Sequence, residues 1–113
     1  SNLALFAPAS ATVRDEFAPL IIKIASVIEK EPGTAKVVGH TDSAPIRSVR
    51  FPSNFQLSVE RAKAVAALLK QQLSKPERVE TEGKGADIPI ATNATPEGRA
   101  KNRRVEILVQ RSN

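Results

Sequence analysis

The stretch GHTDSAPIRSVRFPSNFQLSVERA, from Gly39 to Ala62, decides the fold because it places charged residues where apolar ones are expected. Asp42 follows a short apolar run that predicts a strand over Lys36 to Thr41, and a loop then leads into a helix. With Leu57 at 0° on that helix, Arg61 lies at about 40°, inside the apolar stripe. A guanidinium there must reach solvent or meet acceptors, because an unpaired buried charge is costly.

Asp42 stands where its strand ends, and ligand sites in sheets with crossover helices gather at such edges. If the following helix faces the sheet, Asp42 and Arg61 come together at one rim of the domain. Two interpretations are open at this point. The two charges form either a partly buried ion pair with a structural role, or a receptor for a zwitterion, with a carboxylate for an ammonium group and a guanidinium for a carboxylate.

The elements on either side of this stretch alternate between strand and helix. The predicted elements are a strand at Leu3–Phe6, a helix from a cap near Thr12 to Glu31, the strand Lys36–Thr41, a helix from Ser53 to about Leu73 opened by a capping-box pattern with Gln56, a strand at Arg78–Gly83, a short helix opened by Thr95-Pro96-Glu97, and a strand at Arg103–Val109. This order predicts an α+β two-layer sandwich, with helices on one face of a four-stranded mixed sheet, in one domain over residues 3–110.

The last strand repeats the anomaly of a charge among apolar positions. Arg103 has the same parity as Val105, Ile107 and Val109, so it is expected on the core face of the sheet. Its place at the end of the strand gives the side chain a route out of the core.

The composition favours acidic partners, because 17 Lys and Arg outnumber 12 Asp and Glu and give a net charge of +5. Nucleic acid is not expected: the four aromatic residues are all Phe, and the one basic cluster, RAKNRR, is short and interrupted. Cysteine is absent, which removes disulfides and thiolate metal sites. The opening Ser1-Asn2, without Met, indicates a piece of a larger protein.

Catalysis is not expected either. His40 is the only histidine, and one histidine without cysteine does not build a typical zinc site. Strand alternation turns it to the face opposite Thr41, so a structural histidine is favoured over a catalytic one. The serines and glycines match no nucleophile or phosphate-binding motif. We predict no enzyme activity, no cofactor and no metal.

Three ordered motifs carry a family resemblance: GHTDSAPI, NFQLSVERAKAV and TPEGRAKNRRVEILV. Together they resemble the OmpA-like C-terminal peptidoglycan-binding domain over roughly Lys36 to Val109, and Leu3 to Gly33 fits more loosely. The long loop ending in PIRSVRFPSN is similar to MotB-type stator domains and, more closely, to the periplasmic extension of type VI secretion TssL (DotU/IcmH-like) proteins.

The resemblance implies a ligand, the diaminopimelate residue of the peptidoglycan stem peptide, bound without being cleaved. The site residues that it implies are Asp42, Arg61, Asn54, Thr41, Leu57 and Arg103. Asp42 would hold the amino group and Arg61 the carboxylate, with Arg103 nearby. Hydrogen bonds would come from Thr41 and Asn54, and packing from Leu57. For Thr41 and Asn54, a purely structural role at the strand end and helix start remains equally open.

The resemblance also implies a place for the domain: the periplasm of a Gram-negative bacterium, in a protein of the inner membrane. Its partners would be peptidoglycan and other subunits of a membrane-embedded secretion complex. Two alternatives remain, the wall anchor of a flagellar stator, and a structural domain that uses its loop for a partner subunit or a homodimer. In that loop, Arg47, Arg50 and Phe51 would attract the acidic wall polymer, cover the pocket or contact a neighbouring protein.

Overall fold

The computed structural model of the chain describes residues 5–46 and 50–110. Its helices are α1 (Ala18–Lys30), α2 (Asn54–Lys70) and α3 (Pro96–Asn102), and its strands are β1 (Thr34–Gly39), β2 (Val79–Gly83) and β3 (Val105–Gln110). The sheet has the order β2-β1-β3, with β1 parallel to β2 and antiparallel to β3. The predicted α+β fold with a mixed sheet is therefore confirmed, with three strands among the described residues.

The fourth strand, predicted at Leu3–Phe6, is not seen among these residues. Leu3 and Ala4 lie outside the described residues, while Leu5 and Phe6 lie in a bend. Phe6 is fully buried in the core. After it the chain turns sharply at Pro8-Ala9, where the φ of Ala9 is 55° and Ser10 donates from its backbone N to the carbonyl of Ala7 at 3.2 Å. The start of the described chain therefore crosses the rim of the sheet as an irregular segment.

One apolar core lies between the two long helices and the sheet. The residues that form it are Phe6, Ile21, Ala25, Ile28, Ala35, Val37, Ala62, Val65, Ala66, Leu69, Leu73 and Val79. On β1, Ala35 and Val37 are fully buried and face the helices, whereas Lys36 between them is only partly buried and faces away; the last three residues, Val37 to Gly39, are all buried. Helix α2 packs over β1 and β2, and α1 packs against α2.

Close packing at Gly39 sets the height of α2 above the sheet. A Cβ added at Gly39 would overlap the backbone carbonyl of Ser58, and one at Gly83 would meet the Ser58 hydroxyl. That hydroxyl is fully buried, donates to the carbonyl of Phe55 at 2.7 Å and accepts from the backbone N of Gly85 at 2.9 Å. Because the first half of α2 packs this closely against the sheet, side chains one turn further along the helix reach the ends of the strands.

The helix starts agree with the sequence in two of three places. The Ser53 hydroxyl accepts from the backbone N of Gln56 at 3.1 Å, and the Thr95 hydroxyl accepts from Gly98 at 3.0 Å, so both predicted caps are confirmed. The predicted cap at Thr12 is wrong. A 3₁₀ turn at Asp15–Phe17 leads into α1, and no described residue caps either element with its side chain.

The ends of the elements are shifted from their predicted positions. Strand β1 starts and ends two residues earlier than predicted; Thr41, predicted as its last residue, donates from its backbone N to the carbonyl of Gly85 at 2.9 Å. Helix α2 ends at Lys70 rather than near Leu73, which still reaches the core from the turn that follows. Strand β3 starts at Val105, which leaves Arg103 outside the strand as the C-cap of α3.

Candidate functional site

A small cavity of about 50 Å³ lies at the rim where β1 ends and α2 begins. Its lining residues are Ala9, Asp42, Ala44, Pro45, Ile46, Asn54, Leu57 and Arg61. Four of the six site residues named from the sequence are among them. The structure thus brings Asp42 and Arg61 to one rim of the domain, as their positions in the sequence predict.

Arg61 is fully buried, and its guanidinium is held by backbone carbonyls. Its Nε donates to Ser10 at 2.8 Å, Nη1 to His40 at 3.2 Å and Nη2 to Ala7 at 3.1 Å. The guanidinium carbon also lies 5.0 Å from the centre of the Phe6 ring, a cation–π contact. Arg61 therefore ties the segment before α1 to the end of β1, and the burial inferred from its place in the apolar stripe is confirmed.

The environment of Arg61 leaves it charged. Burial lowers its pKa to about 10; nearby Asp42 acts in the opposite direction, and Arg103 lowers it further. A pKa of about 10 is still well above neutral pH, so the cation persists. Such a group remains buried only because its donors are satisfied, here by three carbonyls.

Asp42 is paired with Arg103. Its Oδ2 accepts from Nη1 of Arg103 at 2.9 Å, and its Oδ1 accepts from the backbone N of Ala44 at 3.1 Å. The interpretation of Asp42 and Arg61 as a direct ion pair is therefore wrong for this structure. The physical reason is that Arg61 meets its acceptors on the backbone, while Arg103 approaches Asp42 from the end of α3.

Arg103 reaches the site because it is not in the strand. It was predicted on the core face with Val105, but as the C-cap of α3 it turns toward the loop after β1. Its Nε donates to the carbonyl of Phe6 at 3.3 Å, and its side chain is 11% exposed. Arg103 and Arg61 thus both hold carbonyls of the segment that precedes α1.

The three remaining candidates stand at or beside the cavity. The Thr41 hydroxyl is buried and donates to the carbonyl of Asp42 at 2.8 Å. Asn54, at the start of α2, donates from Nδ2 to the carbonyl of Ala44 at 3.1 Å and so holds the loop that forms one wall. Leu57 is 3% exposed and forms an apolar part of the lining. The polar bonds of Thr41 and Asn54 in this structure are structural.

Sequence reasoning missed the asparagine network behind Asp42. Asn102 is fully buried; its Oδ1 accepts from the backbone N of Ile90 at 2.8 Å and of Ala91 at 3.0 Å. Its Nδ2 donates to Ala91 O and to Asn93 Oδ1, each at 2.9 Å, and Asn93 Oδ1 also accepts from Ser43 N at 3.2 Å. The network fixes the residue after Asp42. The one available signal was an asparagine at the end of a short helix in the motif TPEGRAKNRR.

His40 lies on the face of the sheet away from the helices and is 2% exposed. Within the described part of the chain, neither ring nitrogen has a hydrogen-bond partner, and Nε2 lies 3.5 Å from Oε1 of Glu106, too far for a strong bond. Burial lowers the pKa of His40; Arg104 and Lys84 also lower it, and Glu106 opposes them. The ring is thus kept neutral and away from the cavity, while its backbone carbonyl serves Arg61.

Two other kinds of feature, a metal-binding cluster and a membrane-spanning helix, are absent from the described residues. No cluster of three or more His, Cys, Asp or Glu side chains within 5–46 and 50–110 is arranged to hold a metal ion. In the same part of the chain, no helix has the length and apolarity needed to cross a membrane.

The fold and the site define a class of protein. It is an α+β domain that carries a carboxylate and two guanidinium groups at one rim. Residues 5–103 match the model of the OmpA family, so the chain belongs to that family. The described core, the cavity and all six candidate residues fall within the matched range.

Comparison with known proteins gives three further similarities. The chain is 50% identical to the cell wall anchor of the T6SS from Pseudomonas aeruginosa, with a TM-score of 0.85 over 96% of this chain and 76% of that one. It is 40% identical to Motility protein B of Bacillus subtilis over 92% of this chain and 41% of that protein. It is 48% identical to Peptidoglycan-binding protein ArfA of Mycobacterium tuberculosis over 63% of this chain and 21% of that protein. The chain thus spans less than half the length of these two curated relatives.

Proposed function

We propose that this domain, over residues 3–110, binds peptidoglycan without cleaving it, by gripping the diaminopimelate residue of a stem peptide. The observation that carries the proposal is the convergence of Asp42 and Arg61 at one small cavity, with Arg103 bonded to Asp42 beside it. The free end of diaminopimelate is a zwitterion, and a carboxylate beside two guanidinium groups is complementary to it. The name of the mycobacterial relative, Peptidoglycan-binding protein ArfA, supports peptidoglycan as the polymer that is bound.

Binding in this proposal is an exchange of partners. In the structure, Arg103 occupies the place on Asp42 that a ligand ammonium would take. The carbonyls of Ala7 and Ser10 occupy donors of Arg61 that a ligand carboxylate would take. A cavity of about 50 Å³ holds only a few water molecules. The ligand must therefore move the segment around Ala9 or the loop that begins at Ala44.

The other site residues support this exchange. We assign the Asn54 amide to a hydrogen bond with the ligand backbone, since its position at the cavity lets it release Ala44. Leu57 packs against the aliphatic part of diaminopimelate. Thr41 holds the backbone of Asp42 in place. After the exchange, Arg103 pairs with the ligand carboxylate that Asp42 repels.

The proposal includes no chemical step. A general acid or base must come within hydrogen-bond reach of the reacting group, and the ring of His40 is turned to the opposite face of the sheet. Asp42 is engaged by Arg103 and the backbone of Ala44. Release of products from purified muropeptides by this chain would contradict a purely binding role.

The biological role that we propose is anchoring an inner-membrane type VI secretion complex to the cell wall, with the domain in the periplasm of a Gram-negative bacterium. The 50% identity to a T6SS wall anchor supports it. The 40% identity to Motility protein B supports a second candidate, the wall anchor of a flagellar stator. Both share the ligand and differ in their complexes, so affinity capture of the full-length protein distinguishes secretion from motor subunits. Capture of such subunits without any wall binding would favour a structural interaction domain.

We also propose that the sheet has a fourth strand, as the sequence predicts, on the edge of β3 that has no partner strand among the described residues. An apolar groove of about 340 Å³ between α1 and β3 supports this. Its lining residues are Ile24, Val27, Ile28, Val105, Ile107 and Val109. A strand added to β3 would bury alternate side chains in that groove.

A cell-wall pulldown tests the binding proposal. Asp42→Asn keeps the size of the side chain and removes the charge that would bind the ammonium group. We expect it to stay in the supernatant while the wild type sediments with purified sacculi. Asp87→Asn, at an exposed loop position, is the matched control and should sediment like the wild type. Equal sedimentation of all three proteins would contradict the proposed site.

A further inference from the structure

A second concave surface borders the Asp42 cavity. This groove, of about 410 Å³, runs along α2 beside the loop that ends at Phe51. Its principal lining residues are Ala11, Arg50, Phe51, Gln56, Glu60 and Lys63. The polar side chains in this set are two cations, one carboxylate and one amide. The function argued above uses none of them.

The groove and the cavity are neighbours on the same helix. Leu57 and Arg61 face the cavity, whereas Gln56, Glu60 and Lys63 lie on the strip of α2 that is about 100° further around. The segment before α1 borders both surfaces, through Ala9 at the cavity and Ala11 at the groove. A peptide that leaves the cavity along this segment therefore enters the groove.

The two cations of the groove are available to a ligand. The guanidinium of Arg50 lies 5.4 Å from the centre of the Phe51 ring, a cation–π contact. Because Phe51 is only 5% exposed, Arg50 packs against a buried aromatic residue. The Lys63 ammonium lies 3.7 Å from Oε2 of Glu60, with the side chains 61% and 45% exposed. Exposed ion pairs of this kind are weak, so Lys63 can exchange Glu60 for another carboxylate at little cost.

We propose that the groove is a second subsite for the same stem peptide and binds the carboxylate of the residue next to diaminopimelate. This inference rests on the proposed function. In the stem peptide that neighbour is D-glutamate linked through its side chain, which leaves its α-carboxylate ionised. Arg50 binds this carboxylate in its planar fork, Lys63 adds a second charge, and Gln56 hydrogen-bonds the peptide backbone. Glu60 faces the carboxylate and weakens the binding.

Calorimetric titration of the 113-residue chain with three probes tests the subsite. The probes are free meso-diaminopimelate, the tripeptide L-Ala–γ-D-Glu–diaminopimelate, and the same tripeptide with the glutamate α-carboxylate amidated. We expect the acidic tripeptide to bind about threefold to tenfold more tightly than the amidated one. Arg50→Ala/Lys63→Ala should remove this difference and leave the affinity for free diaminopimelate unchanged. Lys23→Ala/Lys70→Ala, which removes two exposed charges elsewhere, should keep the difference.

A variant with the opposite expected effect makes the test sharper. Glu60→Gln removes the negative charge from the groove and should strengthen binding of the acidic tripeptide only. The subsite is overturned if free diaminopimelate binds but the amidated and acidic tripeptides have equal affinity, or if the Arg50 and Lys63 double variant keeps the difference. If free diaminopimelate and both tripeptides fail to bind the wild type, the proposed function itself fails.

Discussion

Arg103 and Asp42 form a nearly buried ion pair, with Nη1 of Arg103 2.9 Å from Oδ2 of Asp42 and side chains that are 11% and 10% exposed. This pair joins the end of α3 to the end of β1. Because Arg61 is likewise held by carbonyls, the charges that define the site are satisfied without a ligand. The binding free energy of a ligand is therefore only the difference between the contacts that it makes and the internal contacts that it replaces.

Arg61→Lys should destabilise the fold although it keeps the charge. A single ammonium group cannot satisfy three carbonyls that surround a planar fork, so part of the buried hydrogen bonding is lost. We expect the free energy of unfolding, measured with urea, to fall by about 2 to 3 kcal/mol.

Arg14→Lys, at a half-buried position outside the core, is the control and should change stability by less than about 0.5 kcal/mol. An Arg61→Lys protein as stable as the wild type would mean that these bonds do not hold the segment before α1. Loss of wall binding in an Arg61 variant must be read against this stability change, and the same holds for Asp42→Asn, which removes one partner of the nearly buried pair with Arg103.

Asn102→Ala should loosen the loop behind the site. It removes four hydrogen bonds of a fully buried amide. The expected loss of stability is about 2 to 4 kcal/mol, since three part-buried backbone groups and the Asn93 side chain lose their partner. Faster hydrogen exchange at the amides of Ile90 and Ala91 should accompany it.

Asn102→Asp tests the hydrogen bonds that Asn102 donates while keeping the size of the side chain. The aspartate has the same size but offers a second acceptor where Nδ2 donates to Ala91 and Asn93. It should therefore also destabilise the protein. Wild-type exchange rates at Ile90 in both variants would contradict the role assigned to Asn102.

His40 should make stability depend on pH. Burial lowers its folded pKa below the ordinary value of 6.5, so the unfolded chain binds the proton more readily. The stabilisation is fully present above pH 6.5 and is lost as the pH falls through the lower folded pKa. Arg104 and Lys84 work in the same direction, and Glu106 opposes them.

The measurement is urea unfolding at several pH values from about 5 to about 7.5, a window above the titration of ordinary carboxylates. The wild type should lose stability toward the acidic end, and His40→Gln should lose much less. Parallel curves for the two proteins would show that the His40 ring is not kept neutral by its burial.

Local patterns predicted the elements around the site well, because their causes are local. Ser53 and Thr95 indicate the starts of α2 and α3, because each hydroxyl caps its helix through a hydrogen bond within one turn. The burial of Arg61 followed from helical periodicity alone. The partner of Arg61 did not follow, since backbone carbonyls are present at every position and carry no sequence signal.

The contacts that sequence reasoning missed depend on where the helices and strands end in the three-dimensional structure. Arg103 was assigned to a strand by the parity of its neighbours, and a strand start two residues later turns it toward Asp42. Asn102 acts through contacts about ten residues away in the chain, to a loop with no regular structure. Such pairings depend on the tertiary path of the chain rather than on local pattern.

The central claim is tested most directly by an NMR titration of the isotope-labelled domain with a stem peptide that contains diaminopimelate, against the same peptide with lysine. Lysine lacks the terminal carboxylate, so the two guanidinium groups lose their ligand partner while Asp42 keeps its own. We predict chemical-shift changes at Asp42, Asn54, Arg61 and Arg103 with the diaminopimelate peptide and few with the lysine peptide. Equal responses to both peptides, or no response at these residues, would contradict the account.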